Sequence, residues 1–184
     1  MRYDFEGPII RSPIEAIKIN QASCIEGALI ASAIFSFNKK ENFLLDLRID
    51  KKNDNDTDHV VTLFKKDGFW GAISKTNHGV LRYREPIYKS VRELTMSYFH
   101  EYFTNDGKKN LRSFSKPFNV SKRIKAHWVD SCDDLYEIAC ELDNSPHIAF
   151  LKPTQVRKLR LADKIEIETG KILEWNKNQK YPNM

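Results

Sequence analysis

A thiol at the start of a helix, an imidazole at the start of a strand and a polar side chain on the next strand are the parts of a cysteine nucleophile. This chain carries all three in order. Cys24 stands in "QASCIEGALIASAIF", residues 21–35, where a helix begins. The free N–H groups and positive dipole end of a first helical turn favour a thiolate. A nucleophilic thiol also needs a base, and His59 opens the β-rich run "HVVTLF". A third polar group must then fix the imidazole tautomer. If Asp67 and Gly68 form a tight turn, Lys66 lies opposite Phe69 and His59 opposite Thr76, whereas a looser turn moves its partner to Ser74. Either register puts a hydroxyl beside the ring. Asn77 is a second candidate for that role, and Asp46 or Asp58 are carboxylates that reach it from elsewhere. An oxyanion hole needs the Cys24 backbone N–H and one side-chain amide, for which Gln21 and Asn20 are at hand. Trp70, Arg82 and Arg84 border the same strand and its exit, "NHGVLRYREP", and are the candidate substrate contacts.

The elements that must hold these groups are legible from hydrophobic period and punctuation. Pro8 and Pro13 break the opening stretch into an extended arm, followed by a short helical turn at residues 14–19. Residues 23–37 are apolar over most of the helical circumference, as in a central helix buried on several sides. Residues 43–49 alternate as a strand, and "KKNDNDTD" after it reads as a surface loop. Two β-rich runs around Asp67-Gly68 form a hairpin. "SVRE" at residues 90–93 is a capping box opening a helix to about Phe103, with Tyr98, Phe99, Tyr102 and Phe103 on its buried face. Further on, strands are expected at 111–114, 124–129 and 148–151, a helix at 133–142 and a hairpin pivoting on Gly170, with a helix in the last residues as the alternative. No internal repeat stands out.

The order of these parts resembles the transglutaminase-like branch of the papain-fold cysteine hydrolases. "SCIEGALIASAIF" matches its nucleophile helix, "NFLLDLRID" the strand that follows, "DHVVTLF" the histidine strand and "GFWGAISKTNH" the strand of the third member. Together they span roughly residues 20–80. That branch usually has an aspartate four residues beyond the tryptophan of the last strand, where this chain has Ser74. The resemblance implies thiol-based acyl chemistry, either hydrolysis of an amide or acyl transfer to an amine, on a protein or peptide substrate and with no cofactor. It also implies an α+β fold, with a central helix packed on an antiparallel β-sheet. The alternative it leaves open is an inactive relative, lacking the aspartate, that binds a protein or nucleic acid.

Composition bounds the rest. The chain has 184 residues, 41% hydrophobic and 30% charged, which suits one globular domain with a core of its own. Residues 1–104 hold the catalytic-like core, and residues 105–184 extend the sheet or form a partner-binding lobe. The net charge is +5, from 30 basic and 25 acidic residues. From residue 105 onward 15 basic face 11 acidic residues, so an acidic partner such as nucleic acid would dock there. Interspersed acids make that surface read as solvated. Three cysteines at unpatterned spacings, no apolar leader and no apolar run near 18 residues predict a cytoplasmic protein with reduced thiols and no membrane span. Cys132 and Cys140 are expected to face the core. With His127 and His147 they lack metal-ligand spacing, so no metal site is expected from them.

Overall fold

The computed structural model describes residues 1–4, 9–50, 58–124 and 127–174. The chain is an α+β protein built on a six-stranded antiparallel sheet. Its strands are β3 (Asn42–Ile49), β4 (His59–Lys66), β5 (Phe69–Ile73), β6 (Tyr83–Tyr88), β7 (Leu111–Ser115) and β8 (His147–Ala149), in the spatial order β6-β5-β4-β3-β7-β8. A separate two-stranded parallel pair joins β1 (Arg2–Tyr3) to β2 (Gln21–Ala22). Helices α1 (Pro13–Ile19) and α2 (Cys24–Phe37) precede the large sheet, and α3 (Val91–Met96) follows β6. The C-terminal part adds α4 (Val120–Arg123), α5 (Tyr136–Asp143), α6 (Pro153–Val156) and α7 (Lys164–Gly170).

Strand alternation divides the core into two layers. Leu45, Leu47 and Ile49 of β3, with Val61 and Leu63 of β4, pack with Leu94 and Tyr98 on one face. Leu44 and Val60 point the other way, towards Ile25, Ala28 and Leu29 of α2 and Ile138 and Leu142 of α5. The Thr62 hydroxyl donates to the Ala28 carbonyl at 2.6 Å, which pins α2 on this second face. The helix is therefore central, although Ile34 and Phe37 near its C-terminal end stay exposed.

The hairpin forms on the tighter of the two registers. Lys66 pairs with Phe69, and Asp67 (φ 51°) and Gly68 (φ 85°) both take the left-handed conformation of a two-residue hairpin turn. Elsewhere the structure departs from expectation for local reasons. The helix begun by Ser90 stops at Met96, and a 3₁₀ turn at Phe99–Glu101 replaces its last part, while Tyr98, Phe99 and Tyr102 are still buried. The helix expected at 133–142 begins at Tyr136, and the following strand is only His147–Ala149. Of the strand expected at 124–129, residues 125–126 lie outside the described residues; α4 ends just before it and residues 128–130 form a turn. In place of a hairpin at Gly170 stands α7, because Asp163 and Glu166 make a capping box that nucleates a helix there. Cys132 is exposed and Cys140 half-buried, so neither is a core thiol. The loop expected after β3 lies, at residues 51–57, outside the described residues. Among the described residues no helix is long and apolar enough to cross a membrane.

Candidate functional site

Cys24 is the first residue of α2, held there by a complete capping box. Ser23 accepts from the Glu26 N–H at 3.4 Å, and Glu26 Oε2 accepts from the Ser23 N–H at 2.7 Å. Burial pushes the Cys24 thiol above its ordinary value, and the negative charge of Asp46 adds to that. The backbone N–H groups of Val60 and Ile25 and the Tyr3 hydroxyl lie against the sulfur and pull the other way without overcoming burial. At neutral pH the group is therefore a thiol, and the helix dipole does not decide the balance.

His59 is 7% exposed, and its Nε2 lies 2.5 Å from Ser74 Oγ. Burial holds the imidazole down at about 4, with a smaller contribution from His78, so the ring is neutral. Ser74 is thus the hydroxyl that meets the ring, even though the register would set Thr76 opposite. The pairing of β4 with β5 runs only to Thr62 opposite Ile73. Beyond it the Ser74 N–H turns to the Arg82 carbonyl at 2.8 Å.

The position of Cys24 relative to His59 follows from the sheet. The Val60 N–H, one peptide from His59, acts on the sulfur and favours its thiolate. Alternation turns Val60 and Thr62 towards α2, and His59, Val61 and Leu63 towards the opposite face. Thiol and imidazole thus approach the same peptide from the two sides of the sheet, and no hydrogen bond joins them. The segment carrying Ser74 is fixed against α2. A Cβ on Gly27, one turn into α2, would lie 2.1 Å from Lys75 Cβ. Gly27→Ala gains up to about 1 kcal/mol of helix propensity, yet forces this contact apart at about 1–3 kcal/mol. The expected outcome is a lower urea midpoint and faster alkylation of Cys24; an unchanged or higher midpoint would refute the close approach.

The remaining expected site residues are placed as follows. Asn77 is buried, and its carbonyl accepts from the Glu174 N–H at 2.7 Å, but no hydrogen bond ties it to the His59 ring. Asn20 ends α1 in the left-handed conformation, exposed, and Gln21 lies in β2; neither side-chain amide is hydrogen-bonded to Cys24. Trp70 rests on Phe43, with the Lys65 ammonium 4.4 Å above its ring. Arg82 pairs with Glu174. Arg84 is tied to Glu101 at 2.5 Å and to Ser97 Oγ at 2.8 Å, over the Tyr98 ring, so it braces α3 against β6.

A second polar cluster, which sequence reasoning missed, lies on the α2 side of the sheet. Asp46 sits opposite Val60 in the register, its N–H donates to Ser115 Oγ at 2.9 Å, and its Oδ2 is 3.0 Å from His147 Nε2. Arg48, Asp58 and Asp143 complete it. Its members come from three separated stretches of chain, so no local spacing signals it.

No protein-family model matches the chain, and no curated protein matches it significantly.

Proposed function

We propose that the protein is a cysteine-dependent acyl hydrolase or acyl transferase, with Cys24 as nucleophile, His59 as base and Ser74 orienting the ring. The reading rests on one observation above all: Nε2 of the buried His59 ring is engaged by the Ser74 hydroxyl, on a strand whose next residue, Val60, acts through its N–H on the helix-initiating sulfur. Ser74 occupies Nε2, which leaves Nδ1 as the nitrogen to take a proton. Because the ring and the thiol stand on opposite sides of the sheet, the reaction requires the His59 side chain at the strand end to turn to the Cys24 side; the thiol proton then passes to Nδ1 as sulfur bonds to the acyl carbon. The imidazolium then returns that proton to the departing amine or alcohol, leaving a thioester. Water or an amine, deprotonated by the same ring, attacks the thioester and releases Cys24 as thiol. The Cys24 N–H supports the oxyanion. The substrate class that fits is an amide or peptide.

The experiment uses p-nitrophenyl acetate as an activated acyl donor. The expected result is p-nitrophenol release with one acetyl group on the Cys24 peptide by mass spectrometry. Cys24→Ala abolishes both, and His59→Ala slows release at least tenfold. Acetylation confined to the exposed Cys132, or release indifferent to His59, refutes the reading. The raised thiol and lowered imidazole favour a second reading, a non-catalytic domain that binds a protein or nucleic acid. Under it the folded protein shows no Cys24 acetylation, and any nucleic-acid binding weakens steeply with salt and ignores Cys24→Ala.

A further inference from the structure

We propose that the cleft where β7 and β8 meet α6 binds a small organic anion with an apolar tail, a medium-chain carboxylate. The cleft has a volume of about 470 Å³, inside the range of about 300–1,000 Å³ usual for small-molecule sites. It stands apart from the acyl site, since Cys24, His59 and Ser74 do not line it. The walls call for the tail. Ala149 of β8, Leu151 just beyond it, and Pro153 and Val156 of α6 line the cleft with apolar surface. Ala149 and Pro153 are exposed, and Leu151 and Val156 are only half-buried, so an alkyl chain laid among them would take apolar area out of water on both partners.

The polar lining calls for the anionic head. It consists of Arg112, Ser113 and Arg157, with no acidic residue among the described residues that line the cleft. Arg112 is already committed: its guanidinium is held by Asp50 at 3.2 Å and by the Lys109 and Leu111 carbonyls at 2.9 and 3.2 Å, which makes it a fixed wall. Arg157 is not. Among the described residues its guanidinium makes no hydrogen bond or ion pair, and the Ser113 hydroxyl likewise has no partner. A guanidinium carries donors only, in a planar fork that matches the two oxygens of a carboxylate, so an acceptor with negative charge is what completes it. The apolar walls argue against the phosphate backbone of a nucleic acid as the occupant, because it would leave them uncovered.

The test is isothermal titration calorimetry of the full chain with octanoate up to about 5 mM, a range that reaches even an inefficient ligand of this size. One saturable site per chain is expected. Octylamine, which reverses the charge, and acetate, which lacks the tail, should not saturate over the same range. Arg157→Gln should weaken octanoate about tenfold or more, as loss of a charge-assisted hydrogen bond does. Ala149→Trp, which fills the cleft, should abolish binding. Both positions are exposed, so the variants keep the fold, as circular dichroism will verify. No saturation with octanoate overturns the proposal, and so does octylamine binding as well as octanoate, or octanoate binding that survives both substitutions. A dimer in sedimentation that Ala149→Trp breaks also overturns it, because the cleft would then hold a second copy of the chain.

Discussion

Replacing Glu26 with alanine is expected to cost about 3 kcal/mol of stability and to loosen the N-terminal arm. Glu26 is 1% exposed and its carboxylate serves three donors at once. Oε2 takes the Ser23 N–H, while Oε1 takes the Arg11 N–H at 2.8 Å and Arg11 Nη1 at 3.2 Å. Arg11 Nη1 also reaches Asp4 Oδ2 at 2.7 Å, so the carboxylate is the anchor between the start of α2 and the arm that bears β1. Removing it strands two backbone N–H groups and half the countercharge of a partly buried guanidinium. Removing one partner of a buried ion pair typically costs about 3–5 kcal/mol, and the 29% exposure of Arg11 puts this case at the lower end. Glu26→Gln keeps the shape and one acceptor and should lose about half as much. The measurement is the urea midpoint at constant m-value. Because the arm carries Tyr3 to the Cys24 sulfur, the alanine variant should also alkylate faster at Cys24. A loss under about 1 kcal/mol would mean that the arm is held by something other than this carboxylate.

How much of this was readable beforehand depends on whether the signal was local. The α2 helix, β3 and the hairpin follow from period and punctuation within 15 residues, and Asp67-Gly68 sets the turn because both residues accept positive φ. The register that formed sets Thr76, not Ser74, opposite His59, so the meeting of Ser74 with the ring did not follow from that arithmetic. What chose it was the end of β4–β5 pairing, a tertiary event that frees Ser74 to turn towards Arg82. β6 escaped notice because Pro86 lies inside it, a residue tolerated only because this strand is at the sheet edge. The Gly170 hairpin was misread because "KIEIETGKILEW" alternates like a strand, while the capping box at Asp163 and Glu166 settles the matter for a helix. Arg84 looked like a substrate contact from its place beside Arg82, but in the fold it is committed to Glu101 and Ser97. The Asp46 cluster had no local trace, since the fold gathers residues 46, 58, 143 and 147.

His59 makes the fold sensitive to acid, and His59→Gln should remove that sensitivity. Burial holds the imidazole at about 4 in the folded protein, against an ordinary value of 6.5. Between those two values the unfolded chain binds a proton that the folded one refuses, so stability falls as pH falls. At 1.36 kcal/mol per unit the full loss is about 3 kcal/mol, complete once the pH is below 4. Asp46 works in the opposite sense. Burial, with the charge of Asp58, raises its carboxyl to about 6, so the folded state takes up its proton first and gains stability on acidification from pH 6. The two slopes partly cancel in the natural protein, which is why the comparison must be between curves. Subtracting the glutamine variant's stability from the natural protein's, pH by pH, cancels Asp46 and leaves the histidine alone. That difference should change by about 2–3 kcal/mol between pH 7.5 and pH 4.5, measured by urea unfolding. Parallel curves would show that the ring is open to water in the folded state. The same neutrality bears on chemistry: the ring is unprotonated throughout the neutral range, although its low basicity makes it a weak acceptor for a thiol raised by burial. The acid limb of any Cys24 acylation profile should therefore fall at or below pH 5, well under the range in which an ordinary histidine titrates.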